Sequence, residues 1–501
     1  MKEGAPRLVV GVEVHVQLGT RTKAFCACPV DFGAAPNTLC CPVCMGHPGA
    51  LPVLNRGALE TAVRAGLALG CTVAPKGRTQ WDRKNYFYPD LPKGYQITQY
   101  EHPLCENGAL ALSDGTRVRI RRAHLEEDTG KSSHAADGAT LLDFNRCGVP
   151  LLEIVTEPDL STPAEVEEYL RLLQERLRLA GASECSMEKG QMRCEPNVNL
   201  ERGDGSATAI SELKNLNSFA MAREAVGYEA KRLEDGPWLP RGRALLRATF
   251  GWDDGAKRTI LQRTKETAAD YRYFPEPDLP VLPAEALRPF VEAGKAALEE
   301  SSQREVGEEA RFKAEAEKYN LQDLARAMKL LAKTVEPEDI SQVFTVTAQV
   351  AEERGLNPRD FGPILANWVQ GPIAAHVRAR SIKASMVRAQ GRSLARLLEM
   401  TLKNEIPTEV VKVHFLSTDW LEVGTDPEMM LKEKGLTGAQ TDDDSIRAAC
   451  AEVVAANPDI VAKIRGGKVQ ARAALVGQVM KKTRGTADPA RVNALLDELL
   501  R

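Results

Sequence analysis

A chain of 501 residues, 43% hydrophobic and 27% charged, is too long for a single core and ordinary in composition for a globular protein, so about two to four domains are expected. The net charge of -3 excludes a wholly basic nucleic-acid binder and leaves room only for a local basic patch. No stretch approaches the roughly 18 uncharged apolar residues of a membrane span, and the start, Met-Lys-Glu-Gly-Ala-Pro-Arg, lacks the apolar run of a secretory signal. With eleven cysteines, an odd number, a reducing cytoplasm is expected, where clustered thiols suggest metal rather than disulfides.

Residues 8–18 alternate valine with other residues, which predicts a strand with one buried face. Glu13, His15 and Gln17 share the other face. Neighbours on that face stand about 7 Å apart, so Glu13 and His15 can reach one small ligand. A carboxylate beside an imidazole suits a divalent cation or acid–base chemistry, and equally a plain polar edge. Next come Cys26 and Cys28, then Cys41 and Cys44, two short knuckles able to surround a tetrahedral zinc. No thioredoxin-like strand-then-helix context favours a redox pair. Cys40 is a spare, and His47 reads as packing or turn.

Asn55 is expected to cap a helix ending at Gly70, with Gly66 allowing close packing. The run from Trp81 to Gln96 is aromatic and basic, and Pro89, Pro92 and Gly94 predict an ordered loop. Arg83, Lys84 and Lys93 make it a candidate phosphate-contacting wall. A strand from 117 ends in Glu126, Glu127 and Asp128, three adjacent acids that repel unless a cation, a basic partner or water meets them. Segments 141–146 and 149–155 are expected to continue the sheet. Thr162, Pro163 and Glu165 then open a helix with a capping box.

Residues 187–219 predict a hairpin through a Gly-Asp-Gly turn, with Arg193, Glu195, Asn197 and Asn199 on one face and Glu212 and Lys214 together on the second strand. Such a face suits a metal-bound polyphosphate: acids for the cation, Lys and Arg for phosphate oxygens, Asn for amide or base edges. A helix over 219–234 and a sheet return near 246–252 follow, then a proline-locked aromatic rim over 270–280. From 291 the composition turns helical to about 405, and more helices follow. The tail gathers Lys463, Arg465, Lys468, Arg472, Lys481, Lys482 and Arg484, a local basic footprint or a solvated charged face. No P-loop and no Gly-x-Gly-x-x-Gly occurs.

Eight strings carry a resemblance: Gly-Val-Glu-Val-His-Val-Gln-Leu at 11–18, the Cys-Cys-Pro-Val-Cys segment within 37–55, Asn-Tyr-Phe-Tyr-Pro-Asp-Leu-Pro-Lys-Gly-Tyr-Gln-Ile at 85–97, His-Leu-Glu-Glu-Asp-Thr-Gly-Lys at 124–131, Glu-Leu-Lys-Asn-Leu-Asn-Ser-Phe at 212–219, the rim at 270–280, and Asn-Pro-Asp at 457–459 with Gly-Gln-Val-Met-Lys at 477–481. In order and end to end, the chain resembles the GatB/GatE family of tRNA-dependent amidotransferases. The resemblance implies an α+β chain: an antiparallel-sheet cradle domain over 1–290, an all-helical domain over 291–405 and a small helical YqeY-like tail domain over 406–501. It implies an ATP-dependent ligase that phosphorylates the side-chain carboxylate of Glu-tRNA(Gln) or Asp-tRNA(Asn). Its implied partners are an amidase (GatA), which supplies the ammonia, and a small protein (GatC), which completes the GatCAB heterotrimer. A non-catalytic tRNA-binding scaffold in the same complex is the rival reading.

By the same resemblance, magnesium is expected on Glu13, His15, one acid of the set Glu126, Glu127 and Asp128 (Glu127 favoured) and Glu212, and zinc on Cys26, Cys28, Cys41 and Cys44. From residue chemistry alone, ATP is expected near Lys84, Lys93, Arg193, Glu195, Lys214, Asn215 and Asn217. The chain departs from the family pattern at Cys40, in the turn 201–208 and over 406–420. The first two do not touch the expected ligands, and the third bears on where the tail domain begins.

Overall fold

The computed structural model describes residues 6–135, 137–240, 246–264, 271–322, 340–434, 443–465, 472–483, 487 and 489–500. The chain divides into two compact units, 1–304 and 305–501, and the division falls inside the helix Ala284–Lys318.

The first unit is built on strand β1 (Arg7–Gln17). Val10, Val12, Val14 and Val16 are fully or almost fully buried, as the period of two requires. Each contributes about 1.5–3 kcal/mol of burial. Three helices cover that face of the sheet: α1 (Arg56–Ala68), α2 (Pro163–Leu179) and α3 (Phe219–Glu234). Asn55 Oδ1 caps α1 by accepting from the amides of Gly57 and Ala58 at 2.9 and 3.3 Å. A Cβ on Gly66 would lie 2.3 Å from Cys105 Sγ, so this glycine permits the close approach of α1 to the sheet. At α2, Thr162 Oγ1 accepts from the Glu165 amide at 3.1 Å, while Glu165 reaches back to the amide of Ser161, one residue short of the cap, at 2.8 Å.

The strands needed for the site are β2 (Asp82–Asn85), β3 (Tyr95–Thr98), β4 (Cys105–Ala111), β5 (Arg117–Glu127), β6 (Pro150–Thr156), β7 (Met192–Glu201), β8 (Ile210–Lys214), β9 (Arg247–Asp253) and β10 (Arg258–Thr264). Among the described residues the main sheet has eleven strands, running β10-β9-β8-β7-β1-β6-β5-β4 through its middle. β1 is thus central, antiparallel to both β6 and β7. The sheet is not wholly antiparallel as expected: β8 and β9 pair in parallel, because α3 carries the chain back across the face between them. Residues 140–143 also leave the main sheet and form a separate hairpin with 131–134. β2 and β3 form a small sheet with Phe274–Pro275, which brings the rim against the aromatic loop.

In the second unit the helices make two hydrophobic cores. One runs from Ala316 to Leu431 and includes Phe344, Trp368, Leu398, Phe415 and Trp420. The other, over 446–500, includes Cys450, Leu475, Val492 and Leu496. The first core therefore continues past residue 405. In the tail, Asn457 and Gln478 exchange hydrogen bonds of 2.7 and 3.1 Å, joining two of the strings read from the sequence. Of the basic tail residues, Arg472 pairs with Asp497 and Lys482 with Glu452. Lys468 and Arg484 lie outside the described residues, as does Asp270 of the rim. Among the described residues no helix is long and apolar enough to cross a membrane.

Candidate active site and metal centres

The helix-free face of the sheet carries the polar residues of β5, β6, β1, β7 and β8 in register. His15 stands opposite Glu153 on one side and Arg193 on the other, Glu13 opposite Glu195, and Asn197 opposite Glu212. At the centre His15 Nε2 lies 3.7 Å from Glu126 Oε1 and 3.4 Å from Glu153 Oε2. These three side chains offer ligand atoms all within 4.8 Å of one another. His124 Nε2 lies 3.6 Å from both carboxylates, and Thr98 donates to Glu126 at 2.9 Å. Burial alone would lower the His15 pKa, but Glu153, then Glu126 and Glu195, raise it to about 9. Burial likewise opposes ionisation of Glu153, yet His124, His15 and Lys84 hold its carboxyl well below the usual range. Two buried acids and an imidazole on one point suit a small cation with oxygen and nitrogen ligands.

Cations ring this centre. Burial disfavours a charged Lys84, but Tyr273, Glu126 and Glu153 raise its pKa, and its ammonium sits 5.6 and 5.0 Å from the rings of Tyr86 and Tyr271. Lys214 bridges Glu195 and Glu212 at 2.8 and 3.1 Å. Arg193 and Gln17 both donate to the buried Asp128, at 2.9 and 2.8 Å. Asn197 Nδ2 meets Glu13 at 3.5 Å. Asn197 Oδ1 and His124 Nδ1 are buried without hydrogen-bond partners among the described residues, an acceptor and a ring nitrogen held ready beside the acids.

The second centre is formed by Cys26, Cys28, Cys41 and Cys44, whose sulfurs lie within 4.8 Å of one another. Cys41 and Cys44 are 3.9 Å apart, close to the edge of about 3.8 Å for a tetrahedron with Zn–S bonds of about 2.3 Å. A hydrogen bond from Cys26, the Cys41 amide and the nearby Lys23 bring the Cys44 thiol down to about 4 against the opposing effect of burial, while burial pushes Cys28 up to about 11. Lys23 is fully buried, with its ammonium 2.7 Å from the Leu39 carbonyl and 3.6 Å from Cys44 Sγ. Cys40 is outside the set and points to Asn145.

Residues 8–287 match the family model described as the GatB/GatE catalytic domain, and residues 351–500 the model described as the GatB domain. Over 497 residues the chain is 43% identical to the B subunit of the aspartyl/glutamyl-tRNA(Asn/Gln) amidotransferase of Thermus thermophilus, covering 98% of both chains. It is 43% identical over 501 residues to that of Thermomicrobium roseum and 36% identical over 503 residues to that of Brevibacillus brevis, again over 98% of each chain.

The chain belongs to the GatB/GatE family.

Within this GatB/GatE catalytic domain, Glu13, His15, Arg193, Glu195, Glu212 and Lys214 share the polar face, whereas Glu127, Lys93, Asn215 and Asn217 do not join it. Of the three adjacent acids, the one beside His15 is Glu126, not the favoured Glu127. Glu127 points to the opposite face, pairs with Lys93 and accepts from the Ile97 amide at 2.9 Å. Lys93 is therefore withdrawn from the polar face and lines, with Cys26, Cys44 and Glu127, a cavity of about 190 Å³ beside the cysteine centre. Arg83 is also turned away, forked onto Glu276 at 2.7 and 2.9 Å. Asn215 and Asn217 lie past the end of β8 and are exposed. Glu153 and His124 were not singled out from the sequence. Glu153 had a signal: it is the lone acid in the strand Pro-Leu-Leu-Glu-Ile-Val-Thr.

Proposed function

We propose that this chain is the GatB-type component of a tRNA-dependent amidotransferase, activating the side-chain carboxylate of Glu-tRNA(Gln), Asp-tRNA(Asn) or both with ATP. The observation that carries this reading is the convergence of His15, Glu126 and Glu153, flanked by Lys84, Lys214 and Arg193, inside the segment matching the family's catalytic domain. A free carboxylate resists attack by ammonia because oxide is too poor a leaving group. Phosphorylation replaces it with phosphate. Magnesium, when bound, offsets charge on the phosphate oxygens as the γ-phosphoryl group moves. His15, Glu126 and Glu153 would hold it, with Glu13 and Glu212 on the neighbouring strands of the same face. Lys214 and Arg193 orient phosphate oxygens, and the tyrosine wall beside Lys84 limits access of water to the activated carboxylate. Cys26, Cys28, Cys41 and Cys44 would hold zinc as a closed structural site. An amidase partner delivers ammonia, and a small third protein completes the complex. In this assignment the core over 316–431 and the tail over 443–501 are separate helical domains.

The test follows phosphate release from γ-labelled ATP by the chain co-purified with its amidase and its small partner. Wild type is expected to release phosphate only with misacylated tRNA(Gln) or tRNA(Asn), and the preferred tRNA identifies the substrate. Glu13→Ala and Glu212→Ala are expected to keep tRNA binding and lose turnover. Normal turnover in both variants would leave the chain a tRNA-binding scaffold.

A further inference from the structure

A second cavity, of about 460 Å³, is lined chiefly by Arg78, Tyr100, His102, Arg272, Tyr273 and Phe274. Its size falls in the usual range for small-molecule and nucleotide sites. Tyr100 and Phe274 are 40% and 44% exposed, unusual for large rings on either side of one hollow. Tyr100 is stacked on Tyr273 at 4.3 Å and 10°. Tyr273 meets Tyr271 edge-on at 6.1 Å, Tyr271 meets Tyr86 at 6.1 Å, and Tyr86 meets Tyr88 at 5.8 Å. A continuous aromatic file thus runs from the cavity along the wall that holds Lys84. Arg272 sits in the left-handed region at φ 44°, and Asn85 Nδ2 fixes its carbonyl at 2.7 Å. The Arg272 side chain is exposed at the cavity edge.

We propose that this cavity is a stacking subsite for the unpaired nucleotides at the 3′ end of the RNA substrate. The inference rests on the amidotransferase reading above. The carboxylate to be activated belongs to an amino acid esterified to the terminal nucleotide, so that end must lie beside the His15–Glu126–Glu153 centre. Tyr273 meets this requirement from the protein side: its ring lines the cavity stacked on Tyr100 and meets Tyr271, whose ring lies 5.0 Å from the Lys84 ammonium. Unpaired bases are held by aromatic faces and arginine planes. The charges fit a phosphodiester better than a triphosphate. Two arginines stand against Asp82 and Glu101, Asp82 is taken up by the Tyr100 amide at 2.8 Å, and Arg78 already meets His102 at 3.0 Å. The cations suited to a polyphosphate, Lys214 and Arg193, are on the main sheet.

The test measures binding of the full chain to two transcripts of its tRNA substrate, one intact and one trimmed of its unpaired 3′ nucleotides, together with binding of ATP. Tyr100→Ala is expected to weaken the intact RNA about tenfold or more and to leave the trimmed RNA and ATP unchanged. Tyr100→Phe keeps the stack and is expected to bind like wild type. Phe274→Ala, on the other ring, gives the same discrimination if Tyr100→Ala folds poorly. Equal weakening of both RNAs, or of neither, overturns the proposal. Weakened ATP binding with both RNAs unaffected overturns it in favour of an adenine site for the nucleotide. A wild-type chain that binds neither RNA removes the amidotransferase reading itself, and the subsite with it.

Discussion

Glu126 and Glu127 are adjacent, chemically identical and on opposite faces of β5, so exchanging each for glutamine separates the two sides of the sheet. Glu126→Gln keeps the side-chain shape and an acceptor for Thr98, which donates at 2.9 Å, but removes one charge from the centre where His15 lies at 3.7 Å. A unit charge pair at about 4 Å and an effective dielectric of about 20 is worth about 4 kcal/mol. A cation held there should therefore bind roughly a thousandfold more weakly. The assay is phosphate release as a function of magnesium concentration. Glu126→Gln is expected to shift the half-saturating magnesium upward by at least a hundredfold and to leave thermal stability nearly unchanged. Glu127→Gln removes the partner of Lys93 and is expected to keep the wild-type magnesium requirement. If Glu127→Gln shifts that requirement as far as Glu126→Gln, or if Glu126→Gln shifts nothing, the His15–Glu126–Glu153 centre does not hold the cation.

Three further outcomes are expected. Glu276→Ala removes a fully buried carboxylate from Arg83, which keeps Asp278 at 3.1 Å, and is expected to cost about 1.5–3 kcal/mol, read as a lower urea midpoint; an unchanged midpoint would refute it. Cys44→Ser removes the sulfur that accepts hydrogen bonds from Cys26, the Cys41 amide and Lys23, and metal analysis is expected to fall from one zinc per chain towards none, whereas full zinc content would refute the four-thiolate centre. Glu399 is held down to about 2 by Lys403, Arg354 and Arg396. Its folded pKa is below the unfolded value, so its stabilisation is complete at neutral pH, declines below about pH 5 and is gone near 2. Glu399→Gln should therefore melt below wild type at pH 7, with the gap narrowing as the pH falls; a gap that widens in acid would contradict the sign.

The central strand was legible because one period of two served both faces: valines to the helices, Glu13, His15 and Gln17 to the site. The β7–β8 hairpin was legible for a related reason, since its charged residues repeat at alternate positions around a glycine turn. Glu126 was not, and β5 shows why. Val118 and Ile120 are buried at the start of the strand, and that phase would carry Glu127 to the polar face. The pairing with β6 slips by one residue between Ile120 and Arg122, so Ala123 and Leu125 become the buried set and Glu126 turns to the site. A bulge of this kind leaves no compositional trace. The parallel β8–β9 pair was hidden too, because the strands look alike in either direction and only the crossover through α3 decides.

The central place of β1 has a consequence for how the chain is made. β1 is made long before the strands it pairs with: its partners are β6, beginning at Pro150, and β7, ending at Glu201. Until β6 emerges both edges of a valine-rich strand stay open to other chains, and until β7 is complete one of them still does. Fragments ending before residue 201 should then aggregate during expression, and slow, chaperone-dependent maturation of the first unit is the expected cost of placing the strand that bears His15 in the middle of the sheet.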